Sequence, residues 1–203
     1  MSDNINFCQN LIKERSFAFN QNINKVYWFQ YKHNKRLFMA QVTFKGNAVH
    51  TSGDLPQVGD QAPDFTLTTG DLSQKSLKDF QGKKVILNIF PSIDTGTCAM
   101  SVRQFNEKAS GLDNTVVLCI SKDLPFAQSR FCAAEGLENV VTLSDFKDDN
   151  FNKAYGVKFS DGPLEGLLSR SVVVIDENGK VKYTEQVAET ADEPNYEAAL
   201  SNI

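Results

Sequence analysis

The chain has no run of about 18 apolar residues, the length that crosses a bilayer as a helix. Its N-terminus also lacks the apolar core and small-residue cleavage site of a secretory signal. The cytoplasm is therefore the expected location, with no membrane among the expected partners. A formal charge of −4 and a pI near 5.2 give nucleic acid no electrostatic reason to bind. Cysteine is scarce, 4 in 203 residues, too few for a disulfide scaffold, so any disulfide is expected to be catalytic and transient. No Cys-x-x-Cys occurs, which argues against disulfide reductases that need two adjacent thiols. The only histidines, His33 and His50, have no zinc-type spacing to any cysteine, so no metal is expected. A cysteine-histidine hydrolase would need His50 brought to Cys98. No Gly-rich phosphate loop is present, since Gly156-Val157-Lys158 and Asp161-Gly162-Pro163 lack the pattern.

What remains is ordinary globular composition, 41% hydrophobic and 23% charged, enough for one domain with some extra length. That extra length lies at the start. Residues 1–38 hold six Lys or Arg against two acids, seven Asn, and no Pro or Gly. They carry a net +4, leaving −8 for residues 39–203. Their aromatics, among them Phe17, Tyr27, Trp28 and Phe38, keep no sustained period of 2 or 3.6. Residues 1–38 are therefore expected to be a disordered or non-native extension, and residues 39–203 the folded domain. A working start at Met39 is one expectation and a basic targeting leader its rival. Ala40 to Val49 then reads as strand, Gly-containing turn, strand.

From there strands and helices alternate. Phe65 to Thr68 is strand-like, Ser76 can cap a short helix ending before Gly82, and Lys84 to Phe90 is a buried strand. A helix carrying Cys98 should end near Gly111. Thr115 to Ile120 is another β-branched run, and Asp123 is expected to cap a helix through about Ala134 with Leu124, Ala127 and Phe131 on one face. Val140 to Leu143 follows. Ser171 to Ile175 and Val181 to Gln186 flank an Asn-Gly hairpin tip, and Asn195 to Ser201 closes the chain as a helix. The pattern predicts a mixed α/β sandwich.

The heptapeptide Asp94-Thr95-Gly96-Thr97-Cys98-Ala99-Met100 joins a buried strand to a helix start. Unpaired N–H groups and the helix dipole there favour an anion, so the location suits a thiolate nucleophile. Val102, Phe105 and Ala109 recur at helical spacing, which turns Cys98 toward a pocket rather than open water. Cys119, inside Val116-Val117-Leu118-Cys119-Ile120, and Cys8, in the unpatterned extension, read as inert. Cys132 lies near a helix end. An oxidised cysteine needs a second thiol to trap it, and Cys132 can fill that role or be a partly buried helix residue.

Pro91-Ser92-Ile93-Asp94-Thr95-Gly96-Thr97-Cys98 and Cys119-Ile120-Ser121-Lys122-Asp123-Leu124-Pro125-Phe126-Ala127-Gln128-Ser129-Arg130-Phe131-Cys132 resemble the bacterial thiol peroxidases, the atypical two-cysteine peroxiredoxins. The similarity continues through Arg170-Ser171-Val172-Val173-Val174-Ile175-Asp176 and Glu193-Pro194-Asn195-Tyr196, and covers about residues 40 to 203. It implies an α/β thioredoxin-like fold of peroxiredoxin type with an N-terminal β-hairpin. It also implies Cys98 as peroxidatic cysteine, Cys132 as resolving cysteine in a Cys98–Cys132 disulfide, Thr95 and Arg170 as activating partners, and Pro91 as a shield of the substrate pocket. Thr97 departs from the small apolar residue expected before the peroxidatic cysteine.

The same resemblance implies a hydroperoxide substrate with alkyl hydroperoxides preferred, thioredoxin as reductant, a homodimer, and no metal or organic cofactor. In that chemistry Arg170 stabilises the thiolate and the oxygens, while Thr95 accepts a proton from the peroxide and donates to sulfur. Bridging two helix-borne thiols also predicts local unwinding in each cycle. A peroxide sensor would use the same cysteines without rapid turnover, and a binding module without chemistry would tolerate loss of Cys98. Arg103, on the more polar side of the Cys98 helix, could reach the pocket or be solvated.

Overall fold

The computed structural model describes residues 40–203, so the expectations for the first 38 residues, Cys8 and the start at Met39 lie outside the described residues. The Gly-containing turn forms as predicted, joining β1 (Gln41–Phe44) and β2 (Asn47–His50) in an antiparallel pair with Val42 opposite Val49. Lys45 and Gly46 both take positive φ, 52° and 76°, the two-residue turn whose twist matches a hairpin. The carboxylate of Glu189 secures that turn, accepting from the Gly46 N–H at 3.0 Å, the Lys45 N–H at 2.9 Å and the Thr43 hydroxyl at 2.8 Å.

The remaining strands are β3 (Thr66–Thr68), β4 (Gln74–Ser76), β5 (Lys84–Ile89), β6 (Thr115–Ser121), β7 (Val140–Ser144), β8 (Ser171–Ile175) and β9 (Val181–Gln186). They form one sheet in the order β4-β3-β7-β6-β5-β8-β9. β5, β6 and β7 run parallel, because α1 (Gly96–Ala109) and α2 (Pro125–Glu135) carry the chain back between them. β8 joins β5 antiparallel, with Ser171 opposite Ile89. α3 (Asn150–Tyr155) and α4 (Tyr196–Leu200) complete the fold, and the Asn195 side chain caps α4 by accepting from the Ala198 N–H at 3.0 Å.

The apolar run of β5 is buried on both faces, as a central strand requires. Val85, Leu87 and Ile89 pack with Leu118, Ile120, Leu143, Phe151 and Tyr155. Ile86 and Phe90 pack on the other face with Val102, Phe105, Val117, Val172 and Val174. Ile86 and Leu87 are fully buried, each contributing about 1.5–3 kcal/mol against an exposed side chain. Asn88 is the polar exception, donating to the Ser101 hydroxyl at 3.3 Å and tying α1 to the sheet.

Two sequence expectations are corrected. α2 begins at Pro125 with Leu124 as its cap residue, so Asp123 lies one position too early to cap it. Pro at the first helical position, which has no N–H to satisfy, sets that boundary. The expected stripe of Leu124, Ala127 and Phe131 fails at Leu124, which is outside the helix and 52% exposed. Ala127 is half-buried, Phe131 packs against the core around Val102 and Phe105, and the buried positions are Pro125 and Gln128. The helix capped at Ser76 is a single 3-10 turn, Leu77–Phe80, closed by the Asp79 carboxylate accepting from the Ser76 N–H at 2.7 Å.

Candidate active site

β5 runs into Phe90 and Pro91, both buried, and the chain turns through Thr95 into α1. Cys98 is the third residue of α1 and only 1% exposed. The first helical bond is Ala99 N–H to the Thr95 carbonyl at 2.9 Å, so the Cys98 amide lies among the N–H groups with no intrahelical acceptor. Val102 and Phe105 are buried behind it, as their spacing predicted.

Arg170, immediately before β8, is 2% exposed. Its Nη2 donates to Cys98 Sγ at 3.4 Å, and its Nε donates to the Thr190 carbonyl at 3.1 Å. Nη1 has no partner among the described residues. The loop after β9 thus aims the guanidinium, and that loop is fastened on both sides. Thr190 N–H donates to the Thr43 carbonyl of β1 at 2.8 Å, and the Thr97 hydroxyl donates to the Ala191 carbonyl at 3.0 Å. Thr97 therefore tethers the loop that orients Arg170, a use no small apolar residue could serve.

Thr95 is exposed and is the cap residue of α1, yet its side chain makes no capping bond. Its hydroxyl donates to the Ser92 carbonyl at 3.2 Å, and its N–H donates to the same oxygen at 3.2 Å. The proton expected to go to sulfur is thus held by Ser92, while the hydroxyl oxygen is free to accept. His50 is bonded instead to Asp161, at 2.7 Å through Nδ1.

Asp123 is the residue that sequence reasoning misassigned. Its carboxylate accepts from the Ile93 N–H at 2.7 Å, the Ser92 hydroxyl at 2.8 Å and the Ser121 hydroxyl at 2.7 Å. Adjacent parallel strands end side by side, so the loop after β6 meets the loop after β5. Pro125 two positions on was the available signal, since it moves the helix cap to Leu124 and frees Asp123.

Cys132 is half-buried in the last turn of α2, and burial pushes its thiol pKa up. Its carbonyl accepts from the Leu137 N–H at 3.0 Å and from the N–H of Gly136, whose φ of 66° closes the helix. Arg103 neither reaches Cys98 nor is free in solvent. It forms a fork to Glu135, with both N···O distances 2.9 Å, and its guanidinium lies 5.6 Å from the Phe131 ring centre. α1 thereby holds the turn that carries Cys132. Cys119 is fully buried, and desolvation pushes its thiol up to about 12 despite the Asn88 amide nearby.

Among the described residues no group of three or more His, Cys, Asp or Glu is placed to hold a metal ion. A cleft of about 450 Å³ between the start of β5 and the β8–β9 turn, lined by Gln61, Lys78 and Asn178 among others, contains none of the residues above.

Residues 57–200 match the family profile described as Redoxin. The chain is 58% identical over 165 residues to a thiol peroxidase of Corynebacterium glutamicum, covering 81% of this chain and 99% of that protein. Identity is 60% over 165 residues, with the same coverage, to a thiol peroxidase of Mycobacterium tuberculosis. Among solved structures, a peroxiredoxin-like protein from Aquifex aeolicus superposes with a TM-score of 0.76 at 38% identity, covering 80% of this chain and 95% of that one. A thiol peroxidase from Chromobacterium violaceum shares the fold at TM-score 0.74 and 24% identity, covering 79% of this chain and 94% of that one. The chain belongs to the redoxin family and, within it, to the thiol peroxidases.

Proposed function

We propose that the chain reduces hydrogen peroxide and organic hydroperoxides with Cys98 as the reacting thiol. The observation that carries this reading is the buried Arg170 guanidinium, 3.4 Å from Cys98 Sγ and with Nη1 unpartnered among the described residues. The Cys98 thiolate attacks one peroxide oxygen, so an S–O bond forms as the O–O bond breaks, and the departing alkoxide or hydroxide takes up a proton. Nη2 stabilises the sulfur while Nη1 keeps a donor for the oxygens as charge crosses between them. Thr95, its own proton held by the Ser92 carbonyl, accepts the peroxide O–H and keeps the oxygens in line with sulfur. Buried Pro91 screens the site from bulk water.

The product is a Cys98 sulfenic acid. Attack by the Cys132 thiol forms the disulfide and releases water. A disulfide needs Cα atoms within about 7 Å, and the last turn of α2 is the segment that frays to reach it. A dithiol protein of thioredoxin type then takes up the disulfide by two exchanges, returning both thiols. A preference for alkyl hydroperoxides, a homodimeric state and a cytoplasmic location complete the reading, with family membership as their support.

The test is to treat reduced protein with one equivalent of cumene hydroperoxide and map cross-linked peptides by mass spectrometry beside Cys98→Ser and Cys132→Ser. A rapid Cys98–Cys132 bridge absent from both variants is expected. Unmodified Cys98 would overturn the function, and oxidised Cys98 without a bridge would remove Cys132 from it. Steady turnover with thioredoxin separates an enzyme from a peroxide sensor.

A further inference from the structure

We infer that Asp123 is a positioning residue for the peroxide-reacting loop, acting through hydrogen-bond geometry rather than through its charge. The inference rests on the proposed peroxidase reading for its kinetic consequences, but its structural basis is independent. The loop Pro91–Thr95 has no regular backbone pairing, yet it must present Thr95 and the first turn of α1 in one arrangement. Asp123 Oδ2 takes the Ile93 N–H at 2.7 Å and Oδ1 takes the Ser92 hydroxyl at 2.8 Å. These bonds fix the Ser92 peptide, whose carbonyl accepts both the Thr95 hydroxyl and the Thr95 N–H.

Asp123 is itself held from the other side. Its Oδ2 takes the Ser121 hydroxyl at 2.7 Å, the Gln128 amide donates to that same hydroxyl at 2.9 Å, and the Ser144 hydroxyl donates to the Asp123 carbonyl. Ser121 and Gln128 are fully buried and Ser144 nearly so, which makes the support rigid. One residue thus connects the ends of β6 and β7 and the start of α2 to the loop that leads into Cys98.

The geometry separates position from charge. In an Asp123→Asn variant the side-chain oxygen can still accept from Ile93 and Ser121, while the amide donates to a Ser92 hydroxyl that rotates to accept. Asp123→Ala removes all three carboxylate bonds, to Ile93, Ser92 and Ser121, and leaves only the main-chain bonds of residue 123. A loop displaced by about 1 Å costs on the order of a hundredfold in a positioned reaction.

The experiment measures the single-turnover rate of Cys98 oxidation in a Cys132→Ser background, with amide exchange at Ile93 and Thr95. Asp123→Ala is expected to oxidise at least about tenfold more slowly and to exchange both amides faster, with Asp123→Asn within about threefold of the parent on both readouts. Ser92→Ala is expected to fall between them and to add nothing further to Asp123→Ala. An Asp123→Ala rate equal to the parent's overturns the inference, and so does an Asp123→Asn variant as slow as Asp123→Ala, because charge would then be the agent. If Asp123→Ala fails to fold, Ser92→Ala decides, and a parental rate there overturns the inference. If the parent itself ignores peroxide, the proposed function falls. The exchange readout then stands alone, with unchanged protection in Asp123→Ala overturning the positioning role.

Discussion

Replacing Arg170 with Met should slow peroxide reduction without lowering stability, an outcome that simple structural damage would not give. The guanidinium is 2% exposed, so its bond to Cys98 is made in a low-dielectric setting. A hydrogen bond to a charged partner contributes about 1.5–3 kcal/mol, which corresponds to a loss of about ten- to a hundredfold in the second-order rate when it acts on the transition state. Stability moves differently. Among the described residues one nitrogen of this buried guanidinium has no partner, and removing such a group offsets about 1–3 kcal/mol of desolvation against the lost Thr190 bond. Arg170→Met should therefore melt no lower than wild type. Arg170→Lys should be intermediate, since one ammonium cannot span both Thr190 and Cys98 as the fork does. Stopped-flow oxidation near neutral pH and thermal melts on the same samples read both quantities. A rate within about threefold of wild type, or a lost rate with a matching fall in melting temperature, would refute the reasoning.

Glu135→Gln, which breaks the ion pair with Arg103, should speed Cys98–Cys132 bridge formation after peroxide by about two- to threefold. Slower bridging in quenched samples would show that the pair aligns Cys132 rather than restraining it. Cys119→Ala should leave turnover unchanged, and Cys119 should take up an alkylating reagent only on unfolding; labelling of the native thiol would contradict its burial. Burial pushes the Asp145 carboxyl up to about 6, against the Asn152 amide and Lys122 and with Asp149 and Asp148 adding to the rise. The native state thus holds that proton more tightly than the unfolded chain, and the stability it contributes at acid pH is lost as pH rises through about 6. Asp145→Asn should gain stability relative to wild type from about pH 4 to 7 in urea melts, and a pH-independent difference would refute the assignment.

Most of the fold was legible because its strongest signals are local. The β5 and β6 runs are apolar on both faces, the β1–β2 and β8–β9 hairpins announce themselves by Gly and Asn-Gly tips, and Asn195 caps a short helix as its side chain allows. β4 was not legible, since Gln-Lys-Ser has no apolar alternation and is a strand only through its pairing with β3. α3 has six residues, too few to establish a helical period. Within the site, Cys98 could be read from its place between strand and helix. Arg170 could be found only by resemblance, because sheet pairing brings it to Cys98 across 72 positions. Asp123 and Arg103 were misread for the same reason. Their partners, Ile93 and Glu135, lie about thirty positions away, and only the parallel crossovers bring them together.

The antiparallel seat of β8 against β5 also orders events during synthesis. Both thiols lie on units completed by α2, whereas the guanidinium and the carbonyl that orients it come from Arg170 and Thr190, much later in the chain. A nascent chain that has emerged only through α2 therefore carries Cys98 and Cys132 without the fixed charge beside the sulfur. Since chains emerge from the N-terminus as they are made, the contact between Arg170 and Cys98, with the carbonyl that orients it, can form only after Thr190 has been added.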